Sequence, residues 1–68
     1  MVDVEKLRER MVNKKLSVSE ISQLIGVNPS TMYRKLAAAE KITVGEAVKI
    51  VEALELTQKE AEQIFFAK

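Results

Sequence analysis

The chain has 68 residues, of which 47% are hydrophobic and 31% charged, enough for one small globular domain spanning residues 1–68 and too few for two. With no cysteine and no histidine it lacks disulfides, the usual zinc ligands and the usual nucleophile–base pairs, so no metal, no cofactor and no enzyme is expected. The net charge of +1 hides a polarity, because residues 1–42 carry eight Lys or Arg against five Asp or Glu, and residues 43–68 carry three against five. A basic part followed by an acidic one suits a nucleic-acid face and a separate second face.

No apolar run approaches the roughly 18 residues needed to cross a bilayer, and Met1-Val2-Asp3-Val4-Glu5-Lys6 lacks the basic-then-apolar order of a signal peptide. A cytoplasmic protein with no membrane contact and no small-molecule substrate is expected. Two glycines, one proline and 4% aromatic residues, with no strict apolar alternation, point to an all-α fold.

Asp3 is a candidate cap for a first helix over residues 3–13, with Val4, Leu7 and Met11 on its apolar face. Lys14 and Lys15, beside Arg8 and Arg10, read equally as a source of diffuse attraction to phosphate or as an ordinary charged surface. Ser17-Val18-Ser19-Glu20 places a hydroxyl at N-cap and a carboxylate three residues later, where each satisfies an unpaired backbone N–H. It opens a second helix over 18–25 with Ile21, Leu24 and Ile25 facing inward.

Gly26-Val27-Asn28 is a very short connection, in which Gly26 ends the second helix through a positive φ and Val27 tucks inward. Asn28 then caps a third helix over 29–38, with Pro29 at its first position, where no N–H is needed. Two helices joined this tightly cross steeply, so the second projects from the surface. Met32 and Leu36 are its apolar side, whereas Ser30, Tyr33 and Arg34 face outward with Pro29, Thr31 and Lys35 at the margins. A guanidinium can bond guanine bidentately, and a serine hydroxyl can bond several bases. Tyr33 has a hydroxyl for phosphate and a ring for a thymine methyl, or it packs partly buried.

Thr43-Val44-Gly45-Glu46 and Thr57-Gln58-Lys59-Glu60 repeat the capping pattern and open helices over 44–54 and 58–66. Val44, Ala47, Val48, Val51 and Leu54 mark the fourth apolar face; Ala61, Ile64 and Phe65 mark the fifth. Leu16, Val27, Ile42 and Leu56 complete one core from the connections. Phe65 and Phe66 are adjacent and point about 100° apart on a helix, so one closes the core and the other is a candidate for a dimer interface. Ile50 on the fourth helix poses the same choice between core and dimer interface.

The stretch Val18-Ser19-Glu20-Ile21-Ser22-Gln23-Leu24-Ile25-Gly26-Val27-Asn28-Pro29-Ser30-Thr31-Met32-Tyr33-Arg34-Lys35-Leu36 resembles the helix-turn-helix of the phage repressor and Cro-like (lambda-repressor-like) family. Ile42-Thr43-Val44-Gly45-Glu46-Ala47-Val48-Lys49-Ile50 looks like the fourth helix of small regulators from Gram-positive phages, so the resemblance covers nearly the whole chain. It implies a compact five-helix domain with its helix-turn-helix at residues 18–36, binding double-stranded operator DNA as a homodimer to control transcription. By position it implies groove contacts from Asn28, Pro29, Ser30, Tyr33 and Arg34, and phosphate contacts from Ser19 and the first-turn N–H groups of the second helix. Thr31 and Lys35 lie beside them as further candidates for phosphate.

Two positions depart from the family pattern. Val18 stands where many relatives have a phosphate-contacting Gln, and Ala37-Ala38-Ala39 where relatives often have an Asn-Gly type ending. Three alanines favour a third helix that runs long, and Lys41 then takes over a phosphate contact from the loop. The rival reading is a protein-interaction module of the same fold, such as an antirepressor, an antitoxin fragment or an adaptor. It is kept open by the weak net charge and the acidic C-terminal part.

Overall fold

Each helix begins at a side chain that accepts a backbone N–H. The structure, a computed structural model, describes residues 2–66, and among these the helices are α1 (Val4–Asn13), α2 (Val18–Ile25), α3 (Pro29–Ala37), α4 (Val44–Leu54) and α5 (Gln58–Phe65). Asp3 Oδ1 accepts from the Lys6 N–H at 3.1 Å, and Asn28 Oδ1 from the Ser30 N–H at 2.9 Å. Ser17 with Glu20, Thr43 with Glu46 and Thr57 with Glu60 each form the full reciprocal box, at 2.9 to 3.1 Å. The boxes satisfy donors at three helix starts, which matters in a chain with little core to spare.

Three of the helix ends, those of α1, α2 and α4, share a second device. Leu16 N–H donates to Met11 O, Val27 N–H to Ser22 O and Leu56 N–H to Val51 O, at 2.8 to 3.0 Å, each just after a residue in the left-handed region. Those residues are Lys15, Gly26 and Glu55, with φ of 57°, 75° and 52°. This is the Schellman ending, and the apolar residue that follows each turn, half-buried in all three cases, packs against the core.

The buried core is Leu7 and Met11 of α1, Val18, Ile21 and Ile25 of α2, Met32 and Leu36 of α3, Ile50 and Leu54 of α4, and Ile64 and Phe65 of α5. α2 is central, packed on α3 and α4, while α1 packs on α5. Arg10 joins Glu60 at 3.2 Å, and the Asp3 N–H just ahead of α1 donates to Ile64 O, so two polar links tie α1 to α5.

Three expectations are corrected. Leu24 is exposed, and the inward line of α2 is Val18, Ile21, Ser22 and Ile25. Ser22 replaces it without an unsatisfied group, because its hydroxyl donates to Ser19 O at 2.7 Å within the same turn. On α4 the buried residues are Ile50 and Leu54, Ala47 and Val51 are half-buried, and Val44 and Val48 face out. That helix is apolar on two neighbouring stripes, and packing on α2 selects one of them.

α3 ends at Ala37 rather than running long. Ala38 leaves the helix at φ −132° and ψ 75°, and Ala39–Lys41 form a 3-10 turn. Alanine's helix propensity is overridden because Ile42 packs on the core and Lys35 is bonded to α4, which turns the chain back.

Candidate nucleic-acid interface

The left-handed Gly26 stops α2, half-buried Val27 pins the turn, and Asn28 with Pro29 starts α3 at once. Only Met32 and Leu36 of α3 are buried, so the helix is held by one edge and stands out from the body. Ser30 and Arg34 fall on the opposite side with Tyr33 at its flank, Pro29 opens the helix, and all are exposed, as is Asn28 ahead of them. Tyr33, at 56% exposure, is a surface residue and not the partly buried packing residue of the alternative reading.

The donors and acceptors on this face are mostly uncommitted. Asn28 uses its carbonyl oxygen on the Ser30 N–H and keeps its amide N–H groups. The Arg34 guanidinium rests against half-buried Thr31, Nη2 to Oγ1 at 3.3 Å, which leaves most of its donors outward. The face thus combines an amide, hydroxyls, a phenol and a guanidinium on a projecting helix, the groups that read base edges in a major groove.

Residues 6–62 match the Cro/C1-type HTH DNA-binding domain. The chain belongs to that family. The match runs from the first turn of α1 into α5 and contains the whole helix-turn-helix, so the family is a DNA-binding one. No curated protein and no solved structure matches the chain significantly.

In this Cro/C1-type domain α2 points its N-terminus outward. Ser17 Oγ serves the Glu20 N–H, leaving the N–H groups of Val18 and Ser19 without an intrahelical acceptor, next to the exposed Ser19 side chain. Glu20 is held below the ordinary glutamate value by the backbone N–H of Ser17, so its carboxylate stays charged there. This turn therefore offers an anion N–H groups and a hydroxyl, not a net positive charge.

Lys35 and Lys41 differ. Lys41 is exposed on the 3-10 turn. The Lys35 ammonium lies 2.6 and 2.8 Å from the two carboxylate oxygens of Glu46 and 3.4 Å from the Lys41 carbonyl, and only 19% of its side chain is exposed. Glu46 is correspondingly held below the usual carboxylate range, first by the Lys35 hydrogen bond and then by the Thr43 N–H. The sequence reading missed this link. Its one signal was a glutamate at the third position of α4, already accounted for as a cap.

The second surface feature lies between α4 and α5. Val2, Val44, Val48, Val51, Phe65 and Phe66 line much of an open apolar groove of about 350 Å³. Phe65 is buried and forms part of its floor, whereas Phe66 stands at its edge with 75% of its surface exposed. The structure thus separates the two aromatics, placing Phe65 in the core and Phe66 outside it. Among the described residues no helix is long and apolar enough to cross a membrane, and no cluster of acidic residues could hold a metal ion.

Proposed function

We propose that this domain is a sequence-specific transcriptional regulator of the repressor or Cro type, which binds operator DNA as a homodimer with α3 in the major groove. The observation that carries the reading is the uncommitted face of Ser30, Tyr33 and Arg34, with Asn28 and Pro29 exposed at its N-terminal end, on a helix anchored by its opposite edge. Arg34 and Ser30 bond base edges, and Tyr33 contacts a thymine methyl or a phosphate. Ser19 with the N–H groups at the start of α2, Thr31 and Lys41 bond phosphates and set the register.

A subunit with so few basic residues gains affinity by doubling its contacts. The apolar α4–α5 face, with Phe66 exposed at the edge of the groove, is the surface through which two subunits pair. A two-fold dimer then meets two half-sites about 34 Å apart, and occupancy of promoter DNA represses transcription.

Selection from a pool of random duplex DNA, with salt and protein concentration titrated, tests this reading. The expected result is a two-fold-symmetric site bound cooperatively, with affinity falling steeply as salt rises. Recovery of no site would reject it in favour of a protein-interaction module that uses the α4–α5 groove.

A further inference from the structure

α3 carries the groove-facing side chains, yet its last residue, Ala37, and the two that lead out of it, Ala38 and Ala39, have no side chain that can fix its direction. Beyond Leu36, the polar attachment at this end of the helix is Lys35. Its ammonium bonds both oxygens of Glu46 and approaches the carbonyl of Lys41, while the same Glu46 Oε1 accepts the Thr43 N–H at 3.0 Å. One carboxylate therefore joins the last turn of α3, the turn that carries Lys41, and the first turn of α4. Both side chains of the pair are 19% exposed, which shields the link from solvent more than an ordinary surface pair.

From this geometry we infer that Lys35 is a positioning residue for DNA recognition, not a phosphate contact: with Glu46 it fixes the direction of α3 and holds Lys41 beside it. The inference rests on the DNA-binding reading above and adds to it a residue pair that never touches the nucleic acid. It also accounts for the early end of α3, since continuing the helix would carry the chain away from α4.

The test compares the parent with Lys35→Met, Glu46→Gln and the double variant. Methionine keeps an unbranched apolar stem without the charge, and glutamine keeps an oxygen for the α4 cap. The double variant has the parent's net charge, so it separates geometry from electrostatics, and its helix content and melting curve confirm that it folds. On the operator duplex recovered by selection, the double variant is expected to bind about five-fold more weakly per half-site, with an unchanged dependence of log Kd on log salt. A slope lower by about one per subunit would overturn the inference and make Lys35 a phosphate contact. An affinity equal to the parent's would overturn it as well, leaving the pair without a role in recognition.

Amide exchange in the absence of DNA separates this inference from the reading beneath it. Faster exchange at Ile42 and Thr43 in the double variant is expected, and unchanged exchange would show that the link does not hold the turn. Should the parent itself recover no operator, the DNA-binding reading fails, and the exchange result still decides whether Lys35 and Glu46 fix this part of the fold.

Discussion

Gly26 and Glu55 hold the same left-handed backbone and close α2 and α4 with the same hydrogen bond from the following apolar residue. The space around Gly26 is open, so a methyl group there meets no neighbour and costs only backbone strain. Gly26→Ala is expected to destabilise the domain by about 1 kcal/mol, whereas Glu55→Gly should stabilise it by about 0.5 kcal/mol, strain relief less glycine's freedom when unfolded. Thermal melts of the two variants check the opposite signs, and a lower melting temperature for Glu55→Gly would contradict the strain argument. On the recognition face, Arg34→Ala should lose about 1 to 3 kcal/mol of operator binding per base contact and relax preference at one position of each half-site. Equal affinity and equal discrimination would remove Arg34 from the readout. At this scale the sequence was legible where a residue has one conformational use. Gly26 announced its turn, and the Schellman endings at Lys15 and Glu55 did not, because lysine and glutamate carry no such signal.

Capping fixed the elements almost to the residue. The three boxes place Glu20, Glu46 and Glu60 where backbone N–H groups stabilise the charged form, and all three are held below the ordinary value of 4.5. For Glu20 and Glu60 the largest cause is the cap backbone N–H, and for Glu46 it is the Lys35 hydrogen bond. A carboxylate with a lowered folded-state pKa contributes stability that is present above its unfolded value and lost as pH falls through the folded one. The melting temperature should therefore hold steady above about pH 5 and fall through the acid range below 4.5. Glu60→Gln should make that acid limb shallower, and an acid limb of parental steepness would assign the loss to other groups. Helix starts were readable because the box is contained within four residues. The end of α3 was not, because Ala37–Ala39 favour a helix while Ile42 and Glu46, farther along the chain, set the turn.

The molecule has two faces with different chemistry, the polar side of α3 and the apolar groove between α4 and α5. Phe66 is mostly exposed, so Phe66→Ser should leave the melting temperature of dilute protein nearly unchanged while weakening dimer formation and operator binding together. Sedimentation equilibrium of parent and variant gives the first comparison, and unchanged association would place the dimer contact elsewhere. Ile50→Ala, at a fully buried site, should by contrast cost about 2 to 5 kcal/mol and unfold much of the population. The all-helical class, the five helices, the turn at Gly26 and the outward face of α3 were determined by the sequence itself, since caps, glycine φ and apolar spacing act within a few residues. Three things waited for the tertiary structure: which stripe of α4 is buried, which of Phe65 and Phe66 closes the core, and that the Lys35 ammonium bonds Glu46. Each is a choice between locally equivalent options, and contacts between helices separated along the chain decide it.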